Sequence, residues 1–415
     1  MRPNQPETNT TAPVEMQPDP SADEIQSVLK SAGPAAAIAR LIEISTEKNE
    51  PRPLLDALLL KARFELGLPG SGAISEQIDP ELKLKYEDRY VEAIRQVGQR
   101  LLDQGQIASA WPYFRVIGEK EPVKAAIEAF DPSQADEHSL GAVIDVAFQQ
   151  QVHPVKGFSW ILDRYGICST ISSFEALPND EQVRAEAAAL LTKALYEQLQ
   201  YSLASEIERR DGTRPEADVR VSDLLQGRPW IYDDDAYAID ISHLSSVVRL
   251  SPLLKDEASI KMAAELAIYG SGLSDRFRYD GLPPFEDIYA DHLIYLNALL
   301  GCDIENAISH FRGKMAVNEA PDEFYEAQQP DPMETLPAQT LVKLLARLGK
   351  KLEAIEVASQ HLMGVPEGYL LCPSLTTLCR EAKRLDLLAK AAAGHGDLAL
   401  CLGSLIEEMQ SAVKN

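Results

Sequence analysis

The residues with the chemistry to act as catalysts or ligands gather in the middle of the chain. Asp240-Ile241-Ser242-His243 puts a carboxylate and an imidazole three apart, the spacing that shares a helix face. Asp287 and Asp291 are four apart, with His292 beside them and Tyr295 one turn on. Further back, His153 precedes Pro154 and the segment Gly157-Phe158-Ser159-Trp160. Two chemistries fit these residue types. A paired Asp and His can act as general base and orienter. Three histidines (His153, His243 and His292) with neighbouring aspartates could instead converge on a divalent metal, as facing helices do in bundles. Neither reading has a strong spacing signal, because no HxxxH or ExxH pair is present. Each residue also has an ordinary reading. Asp240 suits a helix N-cap, and His292 lies on the apolar stripe Ile288, His292, Tyr295, Leu299, where a core histidine is expected.

Two other features invite chemistry and have plain alternatives. Asp233-Asp234-Asp235 does not complete the DDxxD magnesium pattern of terpene synthases, since Tyr237, Ala238 and Ile239 stand where the further acid would be. Acids ahead of a helix are favoured by its dipole. Cys168 follows a helix in Tyr165-Gly166-Ile167-Cys168, where a helix N-terminus would activate a thiol. The alternative is a small buried residue. The other cysteines are scattered, with no CxxC pair, which fits reduced thiols in a cytoplasmic protein and no zinc knuckle. Phosphate loops, dinucleotide fingerprints, GxSxG elbows and HExxH helices are absent. No cofactor is called for.

Aromatics mark the same zone. Residues 221–300 hold nine of them, together with thirteen acids against six basic residues. Repeat cores are usually aliphatic, so this mixture predicts a groove lined by Trp230, Tyr237, Tyr279, Phe285 and Tyr295. Rigid aromatics concentrate binding energy, which makes these five the expected binding residues. The competing reading has the tyrosines bridging helices.

The elements that must position these residues are helices. Apolar residues recur at helical spacing from residue 23 onward, with the longest run at 179–210, and no alternating strand pattern exceeds four residues. Turn glycines recur at Gly301, Gly349 and Gly396, 48 and 47 residues apart, with an earlier copy at Gly105. Each is followed by an amphipathic run, so the spacing predicts stacked helical hairpins. Leu102-Asp103-Gln104-Gly105 with Ala110 and Phe114, and Leu345-Ala346-Arg347-Leu348-Gly349 with Ala354 and Ala358, resemble tetratricopeptide hairpins. That resemblance implies paired-helix geometry and a tendency to hold peptides on a concave face. It assigns no specific residue.

The fold expected is therefore an all-α solenoid, a right-handed superhelix of seven or eight hairpins. Residues 1–20, rich in Pro, Thr and Asn, are expected to be a disordered leader, and 21–174 a first hairpin region. Residues 175–214 are expected to form a long connecting helix, and 215–415 a second repeat region. A net charge of −24 repels nucleic-acid backbones and anionic membranes, and no eighteen-residue apolar run exists to span a bilayer. The leading expectation is a cytoplasmic binding or scaffold module for another protein or peptide. The alternatives are an enzyme on the Asp240, His243, Asp287, His292 cluster and a homo-oligomeric structural subunit.

Overall fold

The computed structural model describes residues 20–72, 78–216, 219–315 and 334–414. Among them the secondary structure is helical, with one isolated bridge between Asp280 and Asp287. Of the leader expected at 1–20, residues 1–19 lie outside the described residues.

The chain divides into two compact units, residues 1–157 and 158–415. The first holds α1 (Ser21–Ala32), α2 (Pro34–Glu47), α3 (Pro51–Glu65), α4 (Pro80–Asp103), α5 (Ile107–Val116), α6 (Glu121–Ala129) and α7 (Glu137–Ile144). Each of α1 to α5 packs on the next in sequence, as a solenoid-like fold requires, and α7 packs on α5. Helix starts follow local chemistry. Pro34, Pro51 and Pro80 stand in first turns, where the missing N–H costs nothing. Asp79 caps α4 by accepting the N–H of Glu81 at 2.9 Å.

Helix α8 (Pro154–Ser173) contains the division between units in its first turn, and Gly166 breaks it with φ 75°. The second unit continues with α9 (Glu181–Asp211), α10 (Val221–Leu225), α11 (Ile241–Leu250), α12 (Glu257–Ser271), α13 (Ile288–Leu299) and α14 (Ile304–Met315). It closes with α15 (Leu336–Arg347), α16 (Lys351–His361), α17 (Leu375–Ala382), α18 (Leu385–Gly394) and α19 (Leu398–Lys414). From α11 to α19 each helix packs on its successor. α9 packs against α10, α11 and α12, and buries Leu191, Leu195, Leu199, Leu203 and Ile207 on one stripe within its own unit.

The turn glycines share one geometry. At Gly105, Gly301, Gly349 and Gly396 φ lies between 74° and 82°, the left-handed region that glycine enters without a Cβ clash. The N–H groups of Gln106, Cys302, Lys350 and Asp397 donate to the carbonyls of Leu101, Asn297, Leu345 and Ala392 at 2.8–2.9 Å. The glycine N–H closes the inner bond to Leu102, Ala298, Ala346 or Ala393. This pair of bonds satisfies the last carbonyls of the helix. The same pair closes α2 at Asn49 and α17 at Lys383, each left-handed without being glycine. The near-equal spacing of 48 and 47 is therefore not a unit length. α14 and α15 lie between Gly301 and Gly349, whereas α16, α17 and α18 lie between Gly349 and Gly396.

Candidate functional site

The candidate residues separate into a buried set on α13 and α14 and an exposed set on the loops before α11 and α13. Asp287 does not share a helix face with Asp291. It caps α13, accepting the N–H groups of Tyr289 and Ala290 at 3.1 and 3.0 Å. Asp240 likewise caps α11, accepting from the N–H groups of Ser242 and His243 at 2.8 and 3.2 Å and from the Ser242 hydroxyl at 2.5 Å. Those bonds hold its carboxyl below the usual carboxylate range, the Ser242 hydroxyl contributing most. The expected Asp240–His243 pair thus meets through a backbone N–H.

His292 is a core histidine, 2% exposed. Its ring stacks on Phe285 with centroids 4.0 Å apart, and its Nδ1–H donates to the Ile288 carbonyl at 2.5 Å. Burial pushes its pKa down to about 4, so the imidazole stays neutral. His153 lies in the first unit, its Nε2 bonded to the Glu128 carboxylate. Among the described residues no group of three His, Cys, Asp or Glu side chains is placed to hold a metal.

Asp291 has a different partner from any the sequence suggested. Its carboxylate is 3% exposed. It accepts the Asp287 N–H at 3.0 Å, meets His310 Nε2 at 2.7 Å and takes a bond from Lys314 Nζ at 2.6 Å. Lys314 also bonds Glu286. Burial opposes the Lys314 charge, but the bonds from Asp291 and Glu286 outweigh it and raise its pKa. The signal in the sequence was the i, i+4 pair His310 and Lys314 on α14. What it pairs with depends on the α13–α14 turn.

The aromatic zone is also split. Tyr269, Tyr289 and Tyr295 are fully buried. Tyr295 packs edge-on to Phe285 and Phe311 and presents no surface to a partner, so its expected place in a groove is corrected to the core. Phe285, half-buried, is held in the same stack. The ring of Tyr289 occupies the space a Cβ on Gly270 would need. Tyr269 reaches out to fasten the loop before α11: its hydroxyl accepts the Ala238 N–H at 2.6 Å, and its ring lies 5.6 Å from that of Tyr232. Burial pushes the phenols of Tyr232, Tyr269, Tyr289 and Tyr295 up, so all stay neutral.

The loop set consists of exposed Tyr237 and Tyr279 with Trp230 and, in addition, half-buried Phe277. Trp230 is half-buried under the Arg210 guanidinium, 4.4 Å from its ring. Tyr237 is 54% exposed and stands edge-on to Phe277 at 5.5 Å, and Tyr279 is 47% exposed. Asp233, Asp234 and Asp235 lie exposed in the same loop as Tyr237, with Asp235 bonded to Arg276 at 3.2 Å. A cleft of about 450 Å³ in the first unit, lined by Leu102, Asp103, Ile107, Phe130 and Asp131, includes none of the candidate residues.

The cysteines behave unequally. Burial pushes Cys372 up to about 12 and Cys379 up to about 11, which makes them inert thiols. Cys168 is exposed rather than a small buried residue, and Cys302 is exposed as well. No helix among the described residues is long and apolar enough to cross a membrane. No protein-family model matches the chain, and no curated protein matches it.

Proposed function

We propose that the protein is an interaction or scaffold module that takes a basic, apolar-anchored segment of another protein or peptide on the loop surface around Tyr237. The observation that carries this reading is the Tyr237–Phe277 pair, edge to face, with Tyr237 exposed and Phe277 half-buried beside three consecutive exposed aspartates. Large aromatics left in water next to acids match the chemistry of Lys/Arg-bearing partners, with the rings supplying the binding energy and the acids the orientation. Trp230 and Tyr279 extend the surface. Tetratricopeptide-like hairpins are consistent with such a role, and five unpaired cysteines suit a reducing cytoplasm. Net charge disfavours nucleic acid as the partner.

The test is capture from the protein's own host, comparing the native chain with Tyr237→Ala/Tyr279→Ala. The expected result is a co-purifying chain whose binding weakens at least about tenfold in the variant, with unchanged melting temperature. Equal capture by both proteins would reject the surface.

An acid–base reading draws on one feature, the bond between buried Asp291 and half-exposed His310. A small molecule retained in native mass spectra, and lost in His310→Ala, would favour it over the scaffold reading.

A further inference from the structure

Helix α19 carries its apolar residues on the wrong side for a helix that ends in water. Asp397 caps it, accepting the Leu400 N–H at 2.9 Å. Leu400, Ser404 and Glu407 turn toward the body of the unit, where Leu400 packs on the core, Ser404 is 3% exposed and Glu407 pairs with Arg380 at 2.9 Å. The opposite face holds Leu398, Leu402, Leu405, Ile406 and Met409, exposed by 75, 60, 43, 46 and 71%. Surface leucines are ordinary when scattered, but five along one stripe are not.

The spacing of this stripe names its partner. Leu398, Leu402, Leu405 and Met409 follow one another at intervals of four, three and four. That is the seam of a two-heptad coiled coil, and it reads the same from either end. Laid antiparallel on a second copy, Leu398 meets the other copy's Met409 and Leu402 its Leu405, so two such layers form twice about one two-fold axis. Such an interface uses the same patch on both subunits. The flanks raise no charge conflict. Ala399 and Ile406 line one side, and Cys401 and Glu408 the other, so the antiparallel register sets Glu408 against Cys401 rather than against a second Glu408. Opposed helix dipoles add to this orientation. The exposed side chains would cover about 500 Å² per copy, about 1,000 Å² for the pair, which is the lower bound for a specific association. The seam is already held as helix by α18, so pairing does not have to order it.

We propose that a second copy of this chain covers α19, forming an antiparallel homodimer through Leu398, Leu402, Leu405, Ile406 and Met409. This surface is separate from the Tyr237 loop, and the proposal does not depend on that reading. Light scattering on the full chain from about 1 to 100 µM is expected to show mass rising from 45.7 kDa toward twice that value. Leu402→Glu/Met409→Glu should weaken association at least about a hundredfold, since each charge would be buried unpaired, with circular dichroism and melting temperature unchanged. The milder Leu402→Gln/Leu405→Gln serves if the charged variant misfolds. A wild-type mass fixed at the monomer, or a dimer that survives folded seam variants, overturns the proposal. Orientation is read by oxidising a mixture of Leu402→Cys and Leu405→Cys. A mixed disulfide dimer supports the antiparallel seam, and cross-linking of each variant with itself alone overturns it.

Discussion

Two neighbouring regions of the second unit, drawn from the same stretch of aromatics and acids, end in opposite environments. On α13 and α14, Asp291, His292 and Tyr295 are sealed in, and the Asp291 carboxylate is met by His310 and Lys314. On the loops before α11 and α13, Tyr237 and Tyr279 stand half in water. Residue type does not separate them: each region has tyrosines, a phenylalanine and aspartates. Position relative to a helix start does. Residues of the α13 interior must face a neighbouring helix, whereas residues ahead of a cap need not. The buried Asp291 carboxylate is satisfied by Lys314 and the Asp287 N–H, and the Tyr289 and Tyr295 rings are buried for packing, their hydroxyls without a hydrogen-bond partner among the described residues, so the first region is built for stability. The second leaves its rings for a partner.

The sharpest break of this comparison is truncation on each side. Tyr289→Ala should cost about 4 kcal/mol, because a fully buried ring is removed beside Gly270, and urea unfolding would measure it. Acid should come next. His292 has a folded pKa near 4, below its unfolded value, so the unfolded chain binds the proton first. The native state is therefore expected to lose on the order of 3 kcal/mol as pH falls from about 6.5 to about 4, and no more below that. His292→Gln should flatten this window in a pH series of unfolding midpoints. Asp291→Asn keeps the shape but strips the counter-charge from Lys314, with an expected cost of about 2 kcal/mol. Gly349→Ala forces a side chain into the left-handed region and should cost about 1 kcal/mol. Smallest of all, Tyr237→Ala should change stability by less than about 0.5 kcal/mol. A larger loss there would make Tyr237 a core residue and dissolve the comparison.

The hairpin turns show how far a sequence can be read. Gly105, Gly301, Gly349 and Gly396 announced themselves, because the left-handed turn favours glycine and an amphipathic run followed each. Asn49 and Lys383 make the same turn and gave no such sign, since neither is the glycine that the left-handed region favours. The regular interval between glycines suggested a repeat length that the helices do not share. Caps are partly legible. Asp240 reads as an N-cap from its place before a helix, whereas Asp287, four residues before Asp291, has the spacing of a helix face and becomes a cap only because α13 starts at Ile288.

What the sequence determined alone was the helical class, the turn positions and the pooling of aromatics and acids in residues 221–300. Periodicity, glycine and composition are local properties, and a chain carries them without folding. Only the tertiary structure decided which tyrosines are core and which are surface, and that Asp291 belongs with His310 and Lys314. Those outcomes depend on the rotation of each helix about its axis and on which neighbour it meets. Helical spacing alone leaves both undetermined until α13 and α14 are packed together. The exposed seam of α19 has the same origin: its heptad spacing is in the sequence, but which side faces water was settled by docking on α18.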